Sequence, residues 1–168
     1  MVIREEKLID TDSIWNINAK AFETEAEANL VNALRDSGCT FISLVAETDN
    51  KAVGHILFTP VKLTGIENKL KLIGLAPMAV IEQHQNKGIG SKLVKAGIEH
   101  CKSKGYDAIV VLGHPSYYPK FGFVPSITYG IKSKYEVPDE AFMVLELVPN
   151  SLNNYQGVIK YHDLFNSV

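Results

Sequence analysis

The sequence is short of the features that fix a protein's class at a glance. It has only two cysteines, Cys39 and Cys101, far apart and in no C-x-x-C spacing. That excludes a disulfide framework and a zinc knuckle. No apolar run is long enough to span a bilayer, and the opening MVIREEKLID lacks the apolar core of a secretion signal. A cytoplasmic protein with no membrane partner is the expectation. There is no basic excess either: the net charge is −2 and the pI near 6.2. Such a chain offers no global field to nucleic acid, so any anion it binds must be met locally. Repeats, low-complexity tracts and linkers are also missing, which predicts one domain spanning residues 1–168.

What is present alternates helical and strand patterns. In TDSIWNINAKAF, Thr11 or Asp12 can cap a short helix carrying Ile14, Ile17 and Phe22. TEAEANLVNALRDSG has Leu30, Val31 and Leu34 on one stripe, acids in its first turn and Gly38 to end it. FISLVAET, KAVGHILFTPVKLT and KLKLIGLAPMAVI read as three strands joined by the turn sequences DNK and GIEN, an antiparallel meander. A third helix follows, with Ile89, Leu93, Val94, Gly97, Ile98 and Cys101 on one face, and Gly105 ends it. YDAIVVLGH is apolar throughout and so reads as a strand covered on both faces, parallel to the strand before the helix. AFMVLELVP adds another strand, and GVIKYHDLF an edge strand at the tail. The fold class is α/β, a mixed sheet.

The stretch QHQNKGIGSKLVKAGIEHC places Gly88 and Gly90 where a strand feeds the third helix. A helix start offers N–H groups without intrahelical acceptors and the positive end of the helix dipole. Glycines there let phosphate oxygens reach the main chain, and Asn86, Lys87 and Ser91 add side-chain donors. The same glycines could instead serve tight packing of helix on sheet. Two familiar phosphate loops are absent. The dinucleotide fingerprint would need glycine at Leu93, and no Walker sequence occurs. A nucleotide-binding fold is therefore disfavoured.

LAPMAVIEQHQNKGIGSKLVKAGIEHCKSKGYDAIVVLGHPSYYPKFGF resembles the core of the GNAT N-acetyltransferase superfamily, in particular its bacterial YhbS-like branch, and the resemblance is close over about Leu72 to Val124. Gln85, Gly88 and Gly90 match the signature Gln/Arg-x-x-Gly-x-Gly/Ala. The resemblance implies a mostly antiparallel sheet with a central parallel pair splayed around an acyl-CoA, and helices on both faces. It implies acetyl-CoA as co-substrate and no metal. It implies that the backbone of Gln85, Asn86, Lys87, Gly88, Ile89 and Gly90, with Ser91 close by, binds the pyrophosphate. Ala79 and Val80 would align the pantetheine arm, and a main-chain N–H near Val80 would meet the oxyanion. The acceptor would be a primary amine of a small molecule or peptide, attacking directly in a ternary complex. The chain would act as a monomer or homodimer. An acyl-CoA-binding sensor or scaffold with little turnover is the alternative.

YYPKFGF resembles the family's Tyr-x-x-x-Gly-Phe segment, which assigns the proton donor to the coenzyme sulfur to Tyr118. Taken by itself, Tyr118 could equally be a core aromatic beside Phe121 and Phe123, and Tyr117 is the second candidate donor. Pro115 compresses the turn before it, a departure from the family's pattern. His114 could be a base or a solvent-facing turn residue, and Glu82 and His84 could relay a proton or face solvent. His55 could point toward the acceptor groove or be a half-buried structural histidine. His100 and Cys101 are neighbours on a helix and cannot share one face, which argues against a metal pair. Cys101 lies on the apolar face, so a covalent route through it is the weaker mechanism.

Overall fold

The computed structural model describes residues 1–67 and 69–168. Asn68, in the turn sequence GIEN, lies outside them. Among the described residues are nine strands: β1 (Val2–Glu5), β2 (Ile42–Thr48), β3 (Lys51–Leu63), β4 (Leu72–Val80), β5 (Ala108–Leu112), β6 (Val124–Pro125), β7 (Ile131–Lys132), β8 (Phe142–Glu146) and β9 (Gly157–Lys160). Seven lie in the order β1-β2-β3-β4-β5-β8-β6, and β9 pairs with β3 and β7. The chain divides into two compact units, and β3, β4 and α3 contribute to both. Among the described residues no helix is long and apolar enough to cross a membrane.

The first unit holds β1 (Val2–Glu5), α1 (Thr11–Ala21), α2 (Ala26–Asp36), β2 (Ile42–Thr48), the start of β3 (Lys51–Leu63), the end of β4 (Leu72–Val80) and most of α3 (Ile89–Ser103). β2 and β3 form the expected hairpin, from Ile42↔Phe58 to Thr48↔Lys51. Asp49 and Asn50 at its tip take φ of 51° and 61°, the two positive values that a tight hairpin turn with native twist requires and that Asp and Asn tolerate. β1 was not foreseen: it pairs antiparallel with β2, and Arg4 holds it by bonding Glu47 at 2.6 Å and Asp10 at 2.7 Å. Because Asp10 precedes α1, the helix starts one residue earlier than its apparent caps, and no side-chain cap bond forms.

Successive residues of a strand face opposite sides, and β3 uses both. A Cβ added at Gly54 would meet Leu93 and Ile89 of α3 at 3.1 and 3.2 Å. The next residue, His55, bonds Asn18 of α1 at 3.0 Å. Helices therefore cover both faces here, and a strand buried from Val53 to Thr59 is the consequence. Phe58, on the Gly54 side, lies against Gly97, whose missing Cβ makes the room.

The second unit is built on the parallel pair. β4 and β5 (Ala108–Leu112) run from Leu72↔Ala108 to Leu75↔Val111. β4 then continues to Val80 with no further registered partner in β5 among the described residues. Asp107 fixes the start of the ladder: its carboxylate accepts from Lys71 N–H at 2.8 Å, and its carbonyl from Leu147 N–H at 2.8 Å. β5 pairs antiparallel with β8 (Phe142–Glu146), and β8 with β6 (Val124–Pro125). β9 (Gly157–Lys160) is not the lone edge expected: it joins β3 antiparallel and β7 (Ile131–Lys132) in a second, short parallel pair. Val110, Val144, Phe142, Leu72 and Ile159 meet in this unit's core.

Candidate active site

In the first unit, β4 ends at Val80, and Ile81 N–H donates to Val53 O at 2.9 Å, keeping the chain beside β3. A short 3₁₀ turn, Glu82–His84, follows. Gln85 then folds back, its Nε2 donating to Val80 O at 2.9 Å, which ties the loop to the strand end. Asn86 and Gly88 both have positive φ, 61° and 81°, and Lys87 between them does not. Such alternation curls a loop so that its N–H groups converge on one side. Helix α3 opens with Lys92 N–H donating to Gly88 O at 3.1 Å, so helix geometry leaves the Ile89 and Gly90 N–H groups without intrahelical acceptors.

The two readings of the glycines can now be separated. A Cβ at Gly88 would meet nothing within 4 Å, so Gly88 is not there for packing. Its backbone hand demands glycine, and the space above it is open. Gln85, Asn86, Lys87 and Gly88 are exposed and Ile89 is buried beneath them, while Gly90 and Ser91 are partly covered. Ala79 is buried and Val80 partly covered at the end of β4. All nine residues assigned to a coenzyme thus fall on one strand end, loop and helix start. A cavity of about 820 Å³ opens in the same unit, lined by Val80 to Gln85, by Lys20 and Ala21 at the end of α1, and by Thr48, Asp49 and Lys51 at the hairpin tip. The α1 and hairpin residues escaped sequence reading, since only the pairing of β3 with the end of β4 puts them there.

Tyr118 belongs to the second unit and has its own surroundings. It opens a 3₁₀ turn, Tyr118–Phe121, closed by Gly122 at φ 102°. Its ring meets Tyr117 edge to face at 5.1 Å and Phe123 at 5.7 Å, and only 8% of its surface is exposed. Burial, and secondarily Tyr117, pushes its pKa up to about 12, so the phenol keeps its proton at neutral pH. Gly113, at the end of β5, lies flat against this ring, and any Cβ there would collide with it. Sequence reading missed Gly113, although the small residue just before the turn was the available signal. Tyr117 is more exposed and carries Lys120 Nζ at 4.1 Å over its ring.

The remaining candidates fall out by position. His114 and Glu82 are exposed and His84 partly so. His55 is fully rather than half buried, and burial holds its pKa down at about 4. It is a neutral core group that points at Asn18 and Ser43. Cys101 is fully buried with its thiol pushed up to about 12, which suits packing and not nucleophilic attack.

Comparison with known proteins gives the family. The chain is 35% identical over 167 residues, 99% of both chains, to the N-acetyltransferase YhbS of Escherichia coli K12. A crystal structure of E. coli YhbS in complex with CoA superposes with a TM-score of 0.93, covering 98% of this chain and 91% of that one. A GNAT family acetyltransferase from Brucella melitensis in complex with acetyl-CoA, 32% identical, gives 0.79 over 98% and 97%. The sequence profile of the acetyltransferase (GNAT) family matches residues 7–123, and with these relatives it establishes that the chain belongs to that family.

Proposed function

We propose that this chain, acting as one domain over residues 1–168, transfers the acetyl group of acetyl-CoA to a primary amine by direct attack in a ternary complex. The observation that carries the reading is the loop before α3, where positive φ at Asn86 and Gly88 and open space above Gly88 leave a cradle of main-chain donors. A diphosphate is the anion that such a cradle suits. The CoA and acetyl-CoA complexes of the YhbS and B. melitensis relatives support the choice of coenzyme.

In this reading the loop from Gln85 to Gly90 grips the pyrophosphate, with Ser91 beside it, and Ala79 and Val80 guide the pantetheine arm by main-chain bonds, as an added strand does at an open edge. The amine nitrogen attacks the thioester carbonyl, the tetrahedral oxyanion is met by main-chain N–H near Val80, and the C–S bond breaks. Tyr118 donates toward the departing sulfur. Its pKa of about 12 stands above the ~8.5 of an ordinary thiol. Complete proton transfer from phenol to sulfur is therefore uphill, and the phenol works by hydrogen bonding to the charge that develops there. The proton lost from the amine completes the thiol. With Cys101 buried and its thiol raised, an acetyl-cysteine intermediate there is disfavoured.

The test is free-thiol release from acetyl-CoA across a panel of primary amines. At least one amine should support turnover, and Tyr118→Phe, which removes a hydrogen bond to developing charge, should lower kcat by about 10²-fold with coenzyme affinity unchanged. Tight coenzyme binding without thiol release on any amine would make the chain a binding module, and equal rates for Tyr118→Phe would remove that residue from the reaction.

A further inference from the structure

Coenzyme A carries a pyrophosphate on the 5′ carbon of its ribose and a separate phosphate on the 3′ carbon. The loop before α3 answers the first. Because one ribose ring joins the two, whatever holds the 3′-phosphate must lie beside the residues from Gln85 to Gly90, and a phosphate with its own charge calls for cations. The cavity of about 820 Å³ in the first unit meets the condition of place, since Gln85 lines it together with Val80 and Ile81. Its size suits a small-molecule group. Ile81 N–H donates to Val53 O, and both residues line the cavity. The cavity therefore flanks the end of β4 on its β3 side, which leaves the other edge of the strand to the pantetheine arm.

The cations come from separate elements. Lys20 stands in the last turn of α1 and Lys51 is the first residue of β3, brought to the same cavity by the turn at Asp49 and Asn50. Both are exposed. Elsewhere in this unit Arg4 is committed to Glu47 at 2.6 Å and Arg35 to Glu6 at 2.9 Å. Among the described residues neither Lys20 nor Lys51 makes an ion pair, although Asp49 and Glu82 line the same cavity. A lining of both signs fits a nucleotide end better than a simple anion. The phosphate meets the two ammonium groups, whereas the ribose hydroxyl and the adenine amino group are donors that the carboxylates of Asp49 and Glu82 can accept.

We propose that Lys20 and Lys51, lining the cavity beside the coenzyme loop, bind the 3′-phosphate of acetyl-CoA, so that the chain selects the phosphorylated coenzyme over its dephospho form. This rests on the coenzyme seat proposed above. The probes are CoA and 3′-dephospho-CoA, which differ only in that phosphate, titrated into the protein by calorimetry. The wild type should bind CoA about tenfold or more tightly than dephospho-CoA, the worth of charge-assisted hydrogen bonds. Added salt should narrow the gap, because both lysines are exposed. The double variant Lys20→Gln with Lys51→Gln should bring CoA down to the affinity of dephospho-CoA, while dephospho-CoA binding and Tm stay as they were. Equal affinities for the two coenzymes in the wild type would overturn the proposal. So would an undiminished preference in the double variant, which would put the phosphate on other groups. A double variant with normal CoA affinity and a raised KM for carboxylate-bearing amines alone would make the cavity an acceptor site, and would overturn it too. Each of these results leaves the coenzyme loop and acetyl transfer standing. Absence of heat with either coenzyme would instead sink that reading, and the subsite with it.

Discussion

Gly88 and Gly113 stand in the two halves of the proposed machinery, and each is glycine for the reason the other is not. Gly88 has a φ of 81° and empty space where a Cβ would be. Gly113 has an ordinary backbone hand and no space at all, because the ring of Tyr118 occupies it. In the proposed reaction the first region works through main-chain N–H groups on an exposed loop, and the second through one side chain buried among Tyr117, Phe121 and Phe123. A coenzyme cradle therefore depends on backbone conformation, and a proton donor on packing. Mutations at the two glycines should fail in different observables.

The largest effect belongs to the backbone. Gly88→Val forces a β-branched residue into the left-handed region, where it is a genuine outlier. The loop should abandon its curl, and acetyl-CoA binding measured by calorimetry should vanish while the circular dichroism of the fold persists. Gly88→Asn sharpens the point, since Asn tolerates that region and already holds it at position 86. This variant should bind far better than valine at the same site. Equal affinities for wild type and Gly88→Val would break the comparison at its first half.

Gly113→Ala comes next. A methyl group in the ring's place must push Tyr118 out of its position, an overpacking that costs about 1–3 kcal/mol of stability. A displaced donor should also cut kcat by roughly tenfold, with acetyl-CoA affinity untouched because the loop lies on other residues. A Gly113→Ala enzyme with normal kcat would mean that the ring's seat is irrelevant to turnover.

How much of this was legible in the sequence follows the same division. The loop could be singled out because Gln85, Gly88 and Gly90 match a family signature in local spacing, and α2, α3 and the β2–β3 hairpin could be read because period and turn residues agree. What stayed hidden depends on distant partners. β1 is four residues long and shows its nature only through Arg4 bonding Glu47 and Asp10. β6 and β7, with two residues each, have no period to detect. His55 looked half buried because nothing nearby announces Asn18 and Ser43 as its partners. Whether Gly88 serves packing was undecidable until the space around it proved empty, while Gly54 and Gly97 have α3 and Phe58 against them.

The smallest expected effect tests the burial of Tyr118 itself. Its phenol is pushed up to about 12 by burial, against ~10 for a free tyrosine. Since the donor must be protonated, its ionisation should bring no fall in kcat by about pH 10, where a free tyrosine would already be half ionised, and the acceptor amine, with a pKa near ~10.4, contributes only a rising limb. The cradle adds no limb of its own there, because main-chain N–H groups do not titrate. The sign for stability follows from linkage: below about pH 10 the phenol is protonated whether folded or unfolded and contributes no slope. Between 10 and about 12 only the unfolded chain ionises, so stability falls as pH rises. Subtracting the phenolate absorbance titration of Tyr118→Phe from that of the wild type isolates the one ring. A difference midpoint near 12 would place the donor in the packed seat behind Gly113, whereas a midpoint near 10 would put it in water and remove the contrast with the exposed loop.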